Sequence, residues 1–257
     1  MRFKITFNRI GKLRMLPMDY QYYLSAWIYK VIGQADPEFS KFLHEHGYTS
    51  GNKLFKLFCY SPLNFGKPVL WKEKALFEIQ TDEISLNVSF CLAEAAEKFI
   101  IGLFNNQQVY IGDRFNGIDL IVKQIERMPD SAFSQTMSYK AGSPVVVSVK
   151  TENEKYPQYL APTATDYAKL LQQNILNKYQ SVPNQPEIPE VEIFKFELKG
   201  TPKSKLITIK PYTPEQSKVR GFLFDFKLTC PVEIHQVIMA CGLGEKNSTG
   251  FGWICED

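Results

Sequence analysis

Three side chains in this 257-residue sequence, His44, His46 and His235, carry imidazoles that exchange protons near neutral pH. His44 and His46 flank Glu45, a spacing that lacks the i, i+4 histidine pair with which a zincin helix holds its metal. Metal catalysis therefore finds little support, and no metal or other cofactor is expected. The five cysteines, Cys59, Cys91, Cys230, Cys241 and Cys255, are odd in number and include no CxxC pair. That spacing argues against a zinc ribbon and a disulfide framework and for a reducing cytoplasm. No serine or cysteine triad shows a distinctive local motif.

The second feature that bears on chemistry is a loop. Gly242-Leu243-Gly244-Glu245-Lys246-Asn247-Ser248-Thr249-Gly250-Phe251-Gly252 places four glycines in eleven residues. Glycine admits positive φ and close backbone approach. Successive exposed N–H groups in such a loop form an anion nest, to which Lys246, Asn247 and Ser248 add phosphate donors. The loop follows an expected helix and precedes an expected strand. A dinucleotide-binding GxGxxG needs the reverse order, and the lysine does not sit in a GxxxxGK[ST] frame, so neither nucleotide-binding loop fits.

The elements that must position these residues follow from periodicity and caps. Phe3, Ile5 and Phe7 alternate with polar residues, which predicts a half-buried strand over 2–8. A helix is expected over 19–32, capped by Asp19 and stopped by Gly33. A shorter one is expected over 37–46, with Asp36 before it, proline in its first turn and Gly47 at its end. Strands are expected at 53–60, 74–80 and 83–90, with Thr81-Asp82 turning between the last two, then a helix at 92–104 and strands at 107–111 and 117–125. After a break near Arg127-Met128-Pro129-Asp130, a strand at 145–149 and a helix at 163–179 capped by Thr163 or Thr165 are expected. A proline-rich loop at 181–189, strands at 191–198, 204–210 and 220–228, a helix at 231–241 and a closing strand at 251–255 complete the chain. This reads as α+β: two tandem ferredoxin-like (RRM-like) domains, 1–125 and 126–257, with antiparallel sheets carrying helices on one face. No residue-level repeat relates the halves. The cleft between two such sheets is a natural groove for a single strand of RNA.

Composition bounds the rest. With 44% apolar residues the chain can build a core. Its net charge is only +3, so any field that holds RNA must come from local clusters. No apolar stretch approaches the ~20 residues of a membrane span, and the start MRFKITFNRI reads as a strand and not as a signal peptide, so a soluble, cytoplasmic protein is expected.

The pattern G-h-G-x5-G-h-G near the end of the chain, with Leu243 and Phe251 as its apolar positions, resembles the signature of the CRISPR-associated repeat-processing endoribonucleases. The N-terminal block Tyr20-Gln21-Tyr22-Tyr23-Leu24, Ile28-Tyr29, Phe42-Leu43-His44-Glu45 and Lys53-Leu54-Phe55 resembles the same family. The resemblance implies metal-independent cleavage of repeat RNA by attack of the ribose 2′-hydroxyl, leaving 2′,3′-cyclic phosphate and 5′-hydroxyl ends. It also implies Tyr29, His44 and Lys53 as the catalytic set.

Helix geometry separates the two neighbouring histidines. At ~100° per residue they point ~200° apart. His46 continues the Phe39, Phe42, Leu43 stripe and His44 falls off it, which favours His44 and keeps His46 as the rival. The length of the 47–52 segment keeps Lys56 as the rival of Lys53. His235 reads as a packing or surface residue. RNA contacts are expected from Gly244, Lys246, Asn247 and Ser248 in the loop and from Lys199, Lys203, Lys205 and Arg220. The expected partner is CRISPR repeat RNA, with subunits of a CRISPR effector complex as further candidates and neither DNA nor membrane. Three other readings stay open: a repeat-binding member with little catalysis, a structural effector subunit, and a small-ligand enzyme on the same scaffold.

Overall fold

The computed structural model describes residues 1–150, 156–185 and 193–257. Its first sheet has five antiparallel strands in the spatial order Phe58–Tyr60, Glu83–Phe90, Arg2–Ile10, Gly117–Arg127, Gln108–Gly112. Helices α1 (Gln21–Ala35) and α3 (Ala93–Asn105) pack together over it, and α2 (Pro37–Glu45) packs against α1. Alternation along the first strand turns Ile5 and Phe7 into a core shared with Trp27, Ile28 and Phe99. Ring edges seal it, with Phe7 on Trp27 at 5.8 Å and Trp27 on Phe99 at 5.9 Å.

A second sheet runs Lys195–Ile209, Ser217–Thr229, Thr136–Ala141, Ile254–Glu256. Helices α4 (Tyr167–Gln180) and α5 (Val232–Cys241) contribute Leu171, Ile175, Ile234 and Ile238 to a separate core with Tyr139 and Phe226. Each half carries the ferredoxin-like order strand, helix, two strands, helix, strand, with the first strand inside the sheet, and the first half adds Gln108–Gly112 as an extra edge strand. The chain ends meet. The Arg2 guanidinium donates to Ile254 O at 2.8 Å and lies 4.0 Å over the Trp253 ring. No helix of the described residues is long and apolar enough to cross a membrane.

Several boundaries differ from the sequence expectation, each for a local reason. α1 begins after Tyr20 with no side chain capping it, so Asp19 is not its cap. It runs through Gly33 to Ala35 and ends where Asp36 turns extended to accept from Phe39 N at 3.0 Å, capping α2 as expected. Gly33 lies inside α1 and faces Ser40 of α2, whose Oγ donates to Tyr29 O at 2.8 Å. α4 starts only at Tyr167, after turns from Ala164 N to Ala161 O and Tyr167 N to Ala164 O, and neither Thr163 nor Thr165 caps it.

The expected strand at 53–60 is two strands, because Leu57 adopts φ 53°. Lys53–Phe55 pairs with Tyr48–Ser50 in a separate hairpin, and Phe58–Tyr60 joins the first sheet. In the second half the inner strand is Thr136–Ala141, between the expected break near 127–130 and the strand expected at 145–149, where no element was expected, while 145–149 supplies only the short Ser148–Val149 strand. The strands expected at 204–210 and up to 198 are one, Lys195–Ile209, paired with Ser217–Thr229 throughout apart from an irregularity between Lys199 and Lys203. The expected closing strand begins at Ile254, three residues late, because Phe251 and Gly252 stay in the glycine-rich loop. The 186–189 part of the proline-rich loop and positions 191–192 lie outside the described residues.

Gly102 sets the approach of α3 to α1, since a Cβ on it would overlap the Val31 carbonyl. Helix propensity alone favours Gly102→Ala by up to ~1 kcal/mol. Here overpacking at the backbone outweighs it, and the variant is expected to lose about 1–3 kcal/mol, read as a lower urea midpoint with an unchanged m-value.

Candidate functional site

α1 and α2 bring Tyr29 and His44 together. Their rings meet edge to face at 5.0 Å and 87°, and Tyr29 also sets its ring against Phe58 at 5.5 Å. Burial pushes the Tyr29 hydroxyl up to about 12, against a hydrogen bond with the Ser248 side chain that pulls it down. Tyr29 is therefore protonated at neutral pH and acts as a donor. His44 is exposed on the free side of α2. His46 is exposed as well, closing α2 beside Glu45 at 4.0 Å, so the apolar stripe ends at Leu43 and does not continue to His46. His235 lies apart, fully buried in the second core, with Nδ1 bonded to Tyr139 Oη at 2.9 Å and Nε2 3.2 Å from Gln135 O. Burial lowers its pKa, as suits a neutral packing histidine.

The two candidate lysines stand differently. Lys53 opens the second strand of the 48–55 hairpin, exposed and with no partner for its ammonium among the described residues. Lys56 sits at the break after that strand and donates to His44 O at 2.7 Å, and burial lowers its pKa. Both line a cleft of about 890 Å³ whose other walls are α4, Ser148 to Lys150 and the glycine-rich loop.

The loop is built around one cation. Lys178, on the last turn of α4, is 1% exposed and donates to Gly242 O at 2.6 Å, Gly244 O at 2.9 Å and Asn247 Oδ1 at 2.7 Å. Asn247 Nδ2 donates to Leu243 O and Phe251 O, each at 3.0 Å. Its side-chain amide is spent on the loop's own shape, which leaves the Asn247 backbone N–H as the group free to meet a phosphate. Leu243 and Phe251 are both 0% exposed and anchor the two ends, joined by Leu243 N to Gly252 O at 2.8 Å. Glycine is required at 244 and 252, with φ 68° and 73°, because a Cβ would overlap the carbonyls of Val146 and Leu243. Among the described residues the backbone N–H groups of Lys246, Asn247 and Ser248 have no acceptor. They open a short 3-10 turn on the cleft wall, the arrangement of an anion nest.

One hydrogen bond ties this loop to the first half: Ser25 Oγ donates to Ser248 O at 2.6 Å. The Ser248 hydroxyl also lies near enough to the Tyr29 phenol to lower its pKa. The cleft thus gathers Lys53, Gly244, Lys246 and Ser248, with Tyr29 joined to it through Ser248 and His44 through Tyr29 and Lys56.

Lys199, Lys203, Lys205 and Arg220 are not among its lining; they lie along the hairpin of the two long strands. Val219 packs on Phe251, so alternation sends Arg220 to the opposite face, where it donates to Ser204 Oγ at 2.9 Å. The part of that hairpin that reaches the cleft is its turn, with Lys210 ion-paired to Glu215 at 2.5 Å.

Sequence reasoning passed over Lys178, Glu245 and Ser25. Lys178 had a visible signal: it falls on the buried stripe of α4 with Leu171, Asn174 and Ile175, where a lysine needs a partner. Glu245 accepts from Ser148 N at 2.9 Å and Ser148 Oγ at 2.8 Å, a contact no local pattern announces.

Known proteins resemble this chain in sequence and fold. The family described as CRISPR-associated protein Cas6, N-terminal, matches residues 15–126, and CRISPR associated protein Cas6, C-terminal, matches 126–255. The CRISPR-associated endoribonuclease Cas6 1 of Methanocaldococcus jannaschii is 28% identical over 243 residues, covering 93% of this chain and 87% of that protein. An endoribonuclease-like Cas6 protein of Pyrococcus furiosus is 26% identical over 257 residues, covering 99% and 98%. The solved structure of a Cas6-related gene product from Pyrococcus furiosus superposes with a TM-score of 0.84 at 25% identity, over 100% of this chain and 98% of that one. An RAMP protein solved as binding different RNA substrates shares the fold at a TM-score of 0.83 and 21% identity, over 100% and 99%.

Burial lowers the Lys178 pKa from 10.5 to about 8, partly offset by Cys241, Cys59 and Glu245. The unfolded chain therefore holds this proton over a range where the folded chain has lost it. The stability tied to Lys178 is fully present above about 10.5 and is lost as pH falls through about 8. Relative to Lys178→Met, the native chain is expected to gain about 2 kcal/mol between pH 8 and 10 in urea unfolding. A difference that does not vary with pH would place this ammonium in water.

Proposed function

Since the chain belongs to the family of the CRISPR-associated protein Cas6, we propose that it is an endoribonuclease that cuts CRISPR repeat RNA. One observation carries the reading: the 48–55 hairpin with Lys53 from the first half and the glycine-rich loop from the second line one cleft, and the paired rings of Tyr29 and His44 stand behind it on α1 and α2, where Ser25 of α1 donates to Ser248 O of the loop. In this reading residues 1–125 form the catalytic domain and 126–257 the domain that lends the loop.

The proposed chemistry needs no metal. The ribose 2′-hydroxyl attacks the adjacent phosphorus, the 5′-oxygen leaves, and the products end in a 2′,3′-cyclic phosphate and a 5′-hydroxyl. His44, exposed at the cleft margin, moves a proton as general acid or base. Tyr29, protonated and held by Ser248, orients the 2′-oxygen or a phosphate oxygen by donating to it. Lys53, whose ammonium has no partner among the described residues, meets the charge that develops on the phosphoryl oxygens, while Lys56 is engaged with the His44 carbonyl. Lys246 and the N–H groups of Lys246, Asn247 and Ser248 hold a backbone phosphate. Lys199, Lys203, Lys205 and Arg220 are proposed as an outer track for the strand beyond the cleft.

A second reading, a member that holds the repeat and barely cuts it, draws on the same geometry. The site offers one imidazole, and burial makes the Tyr29 hydroxyl a weaker acid than a free phenol.

One assay separates the readings. The cognate repeat is expected to be cut in EDTA, and His44→Ala to slow cutting roughly 100-fold or more with binding retained. Lys53→Ala is expected to slow it more than Lys56→Ala. Undiminished cutting by His44→Ala removes His44 from the mechanism, and tight binding with no cyclic-phosphate product establishes the second reading.

A further inference from the structure

Beside the cleft lies a second concavity that the cutting chemistry does not use. Its volume is about 760 Å³. Its walls come from three separate places: Tyr22 and Tyr23 at the start of α1, Tyr110 with the turn at 113–116, and the tip of the long hairpin at 211–213. Five of the lining residues are aromatic. Tyr22 and Tyr23 meet edge to face at 5.6 Å. Phe115 is 73% exposed and Tyr212 87% exposed, so neither ring is held by packing. Arg114 lies 4.4 Å over the Phe115 ring.

Rings left open on loops from both halves of the chain do nothing for the core, and such exposure marks an interaction surface. The charge pattern selects the ligand. Asp113 is taken up by its own turn, its Oδ1 accepting from Phe115 N at 2.6 Å and Asn116 N at 2.7 Å. One guanidinium against several rings suits flat, uncharged π-faces better than a run of phosphates. The tyrosine hydroxyls and Asn116 offer donors and acceptors to the edges of such a ligand.

Continuity with the cleft selects its source. Pro211 to Thr213 follow directly on Ile209 and Lys210, which line the cleft, so the two concavities share the hairpin tip as a wall. On its other side the groove shares Tyr23, Tyr110 and Gly112 with a smaller hollow that runs along α1 past Lys30. A strand leaving the cleft around the start of α1 meets these rings next.

We infer that this groove is a base-stacking subsite, in which Tyr212, Phe115, Tyr22 and Tyr23 hold unpaired nucleobases of the repeat that lie beyond the cleavage point. It rests on the proposed function and adds to it a place where flanking single-stranded sequence is gripped. Stacking on aromatic side chains is how single-stranded RNA is commonly held, and it tolerates any base because every base has a π-face.

The test measures binding of the full repeat and of repeats shortened stepwise from each end, by the native chain and by Tyr212→Ala, Phe115→Ala and Tyr212→Trp. Both alanine variants remove exposed rings, so folding is not at stake. Each is expected to bind the full repeat about 10-fold more weakly, and Tyr212→Trp to bind it like the native chain. Shortening from one end is expected to erase the difference, with the shortest cleavable RNA bound equally by all. A 2-aminopurine placed in the lost segment should be quenched on binding to the native chain and not to Tyr212→Ala. If the native chain binds the repeat and the alanine variants match it at every length, the groove is not an RNA subsite, and a change in self-association in those variants would assign it to a protein partner instead. A native chain that binds no repeat at all removes both the groove and the function on which it rests.

Discussion

An ammonium taken out of water needs acceptors for all three of its protons, and Lys178 finds them in one loop: Gly242 O, Gly244 O and Asn247 Oδ1. The rest of the site follows from that arrangement. With its carbonyls turned inward to the lysine, the loop turns the N–H groups of Lys246, Asn247 and Ser248 toward the cleft. Asn247 braces the loop crosswise by donating to Leu243 O and Phe251 O. Ser248 then reaches the first half, where its carbonyl accepts from Ser25 and its hydroxyl meets Tyr29. The contact that α1 makes through Ser25 thus depends on a lysine on α4, through one loop near the other end of the chain.

The same dependence explains what could be read in the sequence. Alternation at Phe3, Ile5 and Phe7 and the Asp36-Pro37 start of α2 are local signals, and the structure keeps both. The four glycines fixed the loop's position between helix and strand because positive φ is a local requirement. The strand Thr136–Ala141 carries the same alternation, with Met137, Tyr139 and Ala141 on the covered side and Thr136, Ser138 and Lys140 exposed, so it lay within reach of the rule that found 2–8 and was passed over. What no local signal shows is its place inside the sheet, which is set by partners from 217–229 and 254–256.

The site divides along the same line. Placing Tyr29 and His44 on adjoining helices was within reach of spacing and family resemblance. The role of Asn247 was not, because an amide that donates to phosphate and one that braces its own loop are the same residue in the same pattern; only the positions of Leu243 O, Phe251 O and Lys178 decide. The basic cluster at 199–205 could not be placed relative to the cleft from sequence for a related reason. Charge in a strand shows exposure but not which face it takes, and the packing of Val219 on Phe251 settles that face for Arg220.

Stability does not account for Lys178. Its depressed pKa means that at neutral pH the charged form is held against its preference for water, and the stripe it shares with Leu171 and Ile175 would accept an apolar residue. Replacing buried charge by packed apolar groups is often neutral or stabilising. An apolar side chain of that size would fill the same space but accept no direction from it: the carbonyls of Gly242 and Gly244 would lose their donors and be free to turn outward, presenting acceptors to the cleft where donors are needed. A carbonyl facing a phosphate is repulsive, and an N–H is attractive, so the sign of the loop's interaction with an anion hangs on which way these peptides point. The buried cation fixes that sign, and it does so from beneath, leaving the cleft surface to Lys246, Lys53 and the ligand.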